Sequence, residues 1–267
     1  MDRIFAGFVA IVVAVGCSDG VEVAAASHSP FGGEVRDIGG LLPHGFEPSG
    51  AAWQPRTHRL IVVSDDGRIA EIDAEGGALR VWPLAGDLED VCIADAASDR
   101  VYVAVESPPS IVEFDLVVGG AVRTITLPAD GANATPKRGL EALAFVPDAA
   151  DPDGGVFWAG FQSDGSIRVF SIPLRTRPDA PIAREVRRFT PRPGHRDLSG
   201  LAWDQNARRV LALYDTDDRM VTLDGAGRVG ELWFVPGDRQ EGIAVAPGWL
   251  FLADDDAGRV MRYERRP

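Results

Sequence analysis

The chain has 267 residues, 45% of them hydrophobic and 25% charged, which excludes a disordered chain and allows one large domain or two small ones. Its 40 acidic residues outnumber its 27 basic ones, giving a formal net charge of −13, so a nucleic-acid partner is excluded by repulsion. Two cysteines, Cys17 and Cys92, are too few for a disulfide framework.

In chain order, residues 4–15 form an uncharged run after Arg3. Such a run is too short to span a bilayer as a helix and suits the apolar part of a signal peptide. It ends at Ala14-Val15-Gly16-Cys17, which resembles a bacterial lipobox. That likeness makes 1–17 the signal peptide and Cys17 the lipidated residue. It implies an exported lipoprotein of the cell envelope, periplasmic or attached to the outer membrane, that meets the membrane through its anchor only. Plain secretion is the alternative. Residues 18–33 are rich in Ala, Ser and Gly and read as a flexible tether. Residues 34–267 are then a single domain. Cys92 lies in an apolar strand and is expected to be a small buried side chain.

From Glu34 onward, short runs of Val, Ile, Leu, Phe and Trp alternate with Asp-Gly and Ala-Gly turns, the pattern of strands and hairpins. One phrase recurs, as Pro48-Ser49-Gly50-Ala51-Ala52-Trp53, Leu88-Glu89-Asp90-Val91-Cys92-Ile93, Leu140-Glu141-Ala142-Leu143-Ala144-Phe145, Leu198-Ser199-Gly200-Leu201-Ala202-Trp203 and Gln240-Glu241-Gly242-Ile243-Ala244-Val245. Each opens a unit of four strands. In the first unit the later strands are expected at Arg59–Ser64, Arg68–Asp73 and Leu79–Leu84. In the fourth they are expected at Val210–Tyr214, Met220–Asp224 and Val229–Val235. Four strands per repeat is the blade of a β-propeller. The fold class is therefore all-β, a five-bladed β-propeller of four-stranded antiparallel blades. A strand at Val35–Ile38 would complete the last blade and close the ring.

The phrases at 49–53, 64–67, 139–144 and 240–244 resemble the SdiA-regulated family of bacterial envelope β-propellers, over about Val35 to Tyr263. The likeness implies the fold more than a function.

In a propeller the first strand of every blade lines the central channel. The repeat therefore places Ser49, Glu89, Glu141, Ser199 and Glu241 at one mouth. Converging carboxylates repel one another unless protonated or bridged by a cation. An all-oxygen donor set suits a hard cation, calcium above all, and with no Cys or His in the ring zinc does not fit. The same order of Ser and Glu resembles the calcium-activated nucleotidases (soluble apyrases), which implies calcium at these five positions. The bland alternative is that these residues only bond neighbouring blades together.

Loops on the same face carry Lys137, Arg138, His195, Arg196 and Arg239, a basic set that suits an anionic ligand. The Asp-rich turns at 65–66, 215–218 and 254–256 are expected to serve turn geometry. No nucleophile elbow, phosphate-cradling glycine loop or zinc-protease helix occurs, so no catalytic residue is assigned. The sequence thus points to an envelope-anchored, calcium-binding monomer. Its partner at the mouth is an anionic small molecule or an envelope protein. A calcium-dependent phosphohydrolase or esterase is the alternative.

Overall fold

The computed structural model describes residues 29–128, 139–175, 182–237, 239–255 and 257–266. Cys17, the signal peptide, Lys137 and Arg138 lie outside them.

Twenty strands form five separate four-stranded antiparallel sheets. Blade 1 holds β2 (Pro48–Gln54), β3 (Arg59–Ser64), β4 (Arg68–Asp73) and β5 (Arg80–Pro83). Blade 2 holds β6 (Leu88–Cys92), β7 (Arg100–Val105), β8 (Ser110–Asp115) and β9 (Gly120–Thr126). Blade 3 holds β10 (Leu140–Pro147), β11 (Gly155–Phe161), β12 (Ser166–Ser171) and β13 (Arg184–Phe189). Blade 4 holds β14 (Leu198–Asp204), β15 (Arg209–Tyr214), β16 (Arg219–Leu223) and β17 (Val229–Phe234). In blade 5, β18 (Gln240–Ala246), β19 (Trp249–Asp254) and β20 (Arg259–Arg265) are completed by β1 (Phe31–Asp37), in the order β1-β20-β19-β18. The first and last strands of the chain thus pair and close the ring, which removes the edge they would otherwise expose.

The closing strand is longer than expected. It starts at Phe31, inside the stretch read as tether, because a bulge between Gly32 and Val35 keeps the pairing running from Phe31↔Arg265 to Asp37↔Met261. Phe31 is buried and packs edge-on against Tyr263, with ring centroids 5.2 Å apart. Paired glycines hid this from composition, since a glycine bulge and a glycine linker look alike in sequence.

Apolar side chains gather in five clusters, each between two adjacent blades. Cys92 is buried in the cluster between blades 2 and 3. Trp158 and Trp233 are buried between blades, as expected of core residues, while Trp53 and Trp203 are half-buried nearer the axis. Glu113 on β8 is fully buried and ion-paired to both Arg100 and Arg123, which ties three strands of blade 2 together. Glu71 sits likewise between Arg59 and Arg80 in blade 1.

Around the axis the innermost strands approach very closely. A Cβ on Gly242 would lie 2.6 Å from Gly50 Cα, and one on Gly50 would lie 2.4 Å from Asp90 Cα. Only glycine fits this layer in those two blades.

Candidate functional site

Each innermost strand runs from one face, which carries the repeat phrase, to the opposite face. Each also carries a register shift at the same place. The shifts fall between Pro48 and Gly50, Leu88 and Val91, Leu140 and Ala142, Leu198 and Gly200, and Gln240 and Gly242. The repeated phrase is thus a β-bulge in every blade. The residues left out of the ladder are Ser49, Glu89 with Asp90, Glu141, Ser199 and Glu241. A bulge bends the strand and re-aims the side chain it leaves unpaired, and here it gathers three glutamates at one mouth.

The two serines do a different job from the glutamates. Ser49 Oγ donates to Leu88 O and Ser199 Oγ donates to Gln240 O at 2.8 Å, so each latches its blade to the next. Ser49 is also within hydrogen-bond reach of the Asp65 carboxyl, which ties the latch to the acidic mouth.

The glutamates lie in a strongly acidic setting. Burial, then the charge on Glu141, pushes Glu89 far above the ordinary carboxylate range. Burial and Glu106 push Glu141 up as well. The two carboxyls are close enough to share a hydrogen bond, so the pair holds a proton between them. Burial, then Asp215 and Asp255, lifts Glu241 to about 8. Burial, then Asp255 and Asp87, lifts Asp65 to about 7. Asp215 rises to about 6 through burial and Asp197. In the three glutamates the leading causes are burial and other carboxylates, with no guanidinium among them.

Two further sets of side chains lie around this centre. Oxygens of Glu47, Asp65 and Asp255 lie within 4.8 Å of one another, as do those of Asp87, Glu89 and Glu106. A repeated backbone clasp explains the grouping. The turn after the second strand donates to the residue two places before the bulge, as Asp65 N to Glu47 O (3.4 Å), Glu106 N to Asp87 O (3.0 Å) and Asp215 N to Asp197 O (3.2 Å). Acidic turn residues are therefore held beside acidic entry residues. Asp65 and Asp215 thereby join the acidic mouth.

Glu47, Asp87 and Asp90 were missed by the sequence reading. Glu47, Asp87 and Asp197 stand two places before the repeated Ser or Glu, a spacing that was there to be found. Asp90 gave no such signal, because the other blades carry Gly or Ala at its position. It is fully buried, and its carboxyl accepts from Val91 N–H (2.8 Å), Leu143 N–H (2.7 Å) and Leu201 N–H (3.3 Å). One side chain thus joins the inner strands of blades 2, 3 and 4 directly below the acidic mouth.

Of the basic set, His195, Arg196 and Arg239 fall among the described residues. His195 Nδ1 pairs with Asp217, which also takes Arg192 at 2.8 Å. Arg239 lies near enough to Asp215 to lower its pKa. Arg196 is exposed in the loop before β14. Among the described residues this basic set lines the blade 4 and 5 side of the mouth, and His195 is engaged by acid.

The donor set fits a hard cation. It is oxygen-only and partly buried, and its glutamates are pushed up chiefly by burial and by other carboxylates. Asp65 Oδ1 is buried without a hydrogen-bond partner. An unpaired buried carboxylate oxygen is costly, and a divalent cation removes that cost.

A family model described as "Phytase-like: Esterase-like activity of phytase" matches residues 44–166. That stretch carries Glu47, Ser49, Asp65, Asp87, Glu89, Glu106 and Glu141, most of the acidic cluster. Among solved structures, the chain is similar to the glutaminyl cyclase of Myxococcus xanthus. The TM-score is 0.59 and the identity 13%, over 83% of this chain and 90% of that one. At that identity the likeness carries the propeller fold alone. No curated protein matches the chain in sequence. The likeness to SdiA-regulated propellers rests on the repeat phrases alone.

Proposed function

We propose that the chain is a calcium-dependent ester hydrolase, working at the acidic mouth on a phosphate or carboxylate ester. The observation that carries this reading is the convergence of Glu89, Glu141 and Glu241, with Asp65 beside them, as half-buried carboxylates lacking a cationic partner among their leading interactions. The phytase-like match, over blades 1 and 2 and the first two strands of blade 3, supports it. Glu141, Glu241 and Asp65 would hold the cation, with lone pairs of Ser49 and Ser199 as further donors. A cation there would polarise the ester oxygen and activate water. Glu141, hydrogen-bonded to Glu89, is placed to exchange a proton with the reacting groups. The His195–Asp217 pair and Arg196 lie on the rim, where a substrate anion would enter.

A second reading keeps the cation without the chemistry. Pairing of His195 and Arg192 with Asp217 favours it, because these groups are then less free to hold a substrate anion. The chain would be a calcium-binding propeller that takes an anionic ligand or an envelope protein at its mouth. In both readings we place it in the cell envelope, anchored through Cys17.

One experiment tests the cation and separates the readings. The full chain is stripped with chelator, then titrated with calcium or magnesium while its melting temperature and its turnover of p-nitrophenyl phosphate and p-nitrophenyl acetate are followed. Calcium-selective stabilisation with turnover lost in Glu141→Gln is the expected result. Stabilisation without turnover supports the binding reading. Neither stabilisation nor metal by elemental analysis overturns both.

A further inference from the structure

The face opposite the acidic mouth has a different character. The inner strands of all five blades end there around an apolar chamber of about 330 Å³. Ala52, Ile93, Ala144, Ala202 and Val245 contribute its wall, and Trp53 and Trp203 its rim. Asp204 is the one charged residue that lines it, and its carboxylate is taken up by Arg265 and by the Asn206 and Ala207 N–H groups. A cavity of about 150 Å³ already holds benzene, so this chamber has room for an acyl chain or a larger apolar group.

Three further observations fall on this face. First, the β8–β9 turn projects Val117 and Val118, which are 72% and 80% exposed, and the segment before β13 projects Ile182, 79% exposed. They are the three most exposed large apolar side chains among the described residues. Second, the chain enters the domain here. β1 runs from this face, its first residue Phe31 paired with Arg265 at the far end of β20. Cys17, the lipid anchor proposed above, therefore joins the domain from the chamber side. The 13 residues between Cys17 and Phe31 reach about 45 Å at most, enough for a lipid on that residue to enter the same membrane the face would rest on. Third, the converging carboxylates are all at the other mouth, where anionic headgroups would repel them.

We propose that the chamber face docks on a lipid surface. Val117, Val118 and Ile182 dip into its headgroup layer, an acyl chain enters the axial chamber between Trp53 and Trp203, and the acidic mouth points to solvent. Tryptophan suits such a boundary, being apolar in body and polar at one tip. The contact differs from an anchor. A lipid or apolar segment at the N-terminus alone would leave the domain tumbling at the end of its tether, whereas docking fixes which mouth faces the solution.

The test uses the full chain and vesicles of phosphatidylethanolamine and phosphatidylglycerol whose acyl chains carry bromine, a contact quencher of tryptophan. Trp53 and Trp203 line the chamber, so their quenching reports whether that face is the one docked. Comparing the chain with a Trp53→Phe/Trp203→Phe variant isolates the two rim residues. At least half of their emission should be lost on vesicles. Val117→Asp with Val118→Asp should remove most of that quenching while leaving the melting temperature in solution unchanged, since both side chains are exposed. Two outcomes overturn the proposal. One is vesicle-bound chain whose Trp53 and Trp203 are not quenched. The other is quenching that the two aspartates leave intact, which would assign the contact to the N-terminal segment alone.

Discussion

Replacing Asp90 by alanine removes the acceptor of three backbone N–H groups at the axis, those of Val91, Leu143 and Leu201. The site is fully buried and pressed against Gly50, so a shortened side chain leaves these donors without their acceptor. Each buried donor left unsatisfied costs about 1–3 kcal/mol. The bonds at 2.7 and 2.8 Å carry most of this, and the one at 3.3 Å less. Against the loss stands relief from burying a carboxyl, which holds the Asp90 pKa well above the usual range. A net loss of about 3 kcal/mol remains, which for a domain of this size lowers Tm by about 6–12 °C. Asparagine keeps one oxygen, able to take both the Leu143 and Leu201 donors, so Asp90→Asn should lose about half as much. The assay is thermal unfolding of the three proteins at pH 7, followed by near-UV circular dichroism. An Asp90→Ala protein melting within about 2 °C of the parent would refute the reasoning. It would mean that the three bonds merely offset the cost of burying the group.

Other expectations follow from the same geometry. With metal removed, stability should fall as pH rises from 5.5 to 8.5. Asp65, Asp215 and Glu241 have folded-state pKa values of about 7, 6 and 8, above the ordinary carboxylate values of 3.8, 3.8 and 4.5, so the folded chain holds protons that the unfolded chain releases. Carboxylates with depressed values, such as Asp204 and Asp217, act in a lower window, since their contribution is lost only below about pH 4. Denaturant midpoints at the two pH values check this, and a rise with pH would contradict it. Glu141→Gln combined with Glu241→Gln should raise the metal-free melting temperature while abolishing the calcium-induced shift, because the same charges that repel are those that bind. Glu113→Ala should cost about 3–5 kcal/mol by stranding Arg100 and Arg123, and Glu113→Gln should cost less. Ser199→Ala should cost about 1 kcal/mol through the lost bond to Gln240 O, with calcium affinity as its second readout.

The repeated phrase was enough to count the blades, place their inner strands and name the axial residues. A first strand crowded at a ring axis demands small residues and a fixed register, and both demands are written locally. The closing role of the N-terminal strand was also legible, from the missing quarter of the last blade, although its start at Phe31 was not. Val210–Tyr214 and Met220–Asp224 were each placed within a residue of β15 and β16, because alternation and a turn bound them on both sides. What the tertiary structure decided was how side chains from different blades meet. That Ser49 and Ser199 latch blades while Glu89 and Glu141 share a proton depends on which blade each residue faces. Asp90 reaches Leu143 and Leu201, residues 53 and 111 positions away. The contrast between an acidic mouth and an apolar chamber also arises only when five strands, each polar at its start and apolar toward its end, stand side by side around one axis. Local pattern fixes an element because backbone geometry is local. A site on the axis is a sum over elements, and only closure of the ring carries it out.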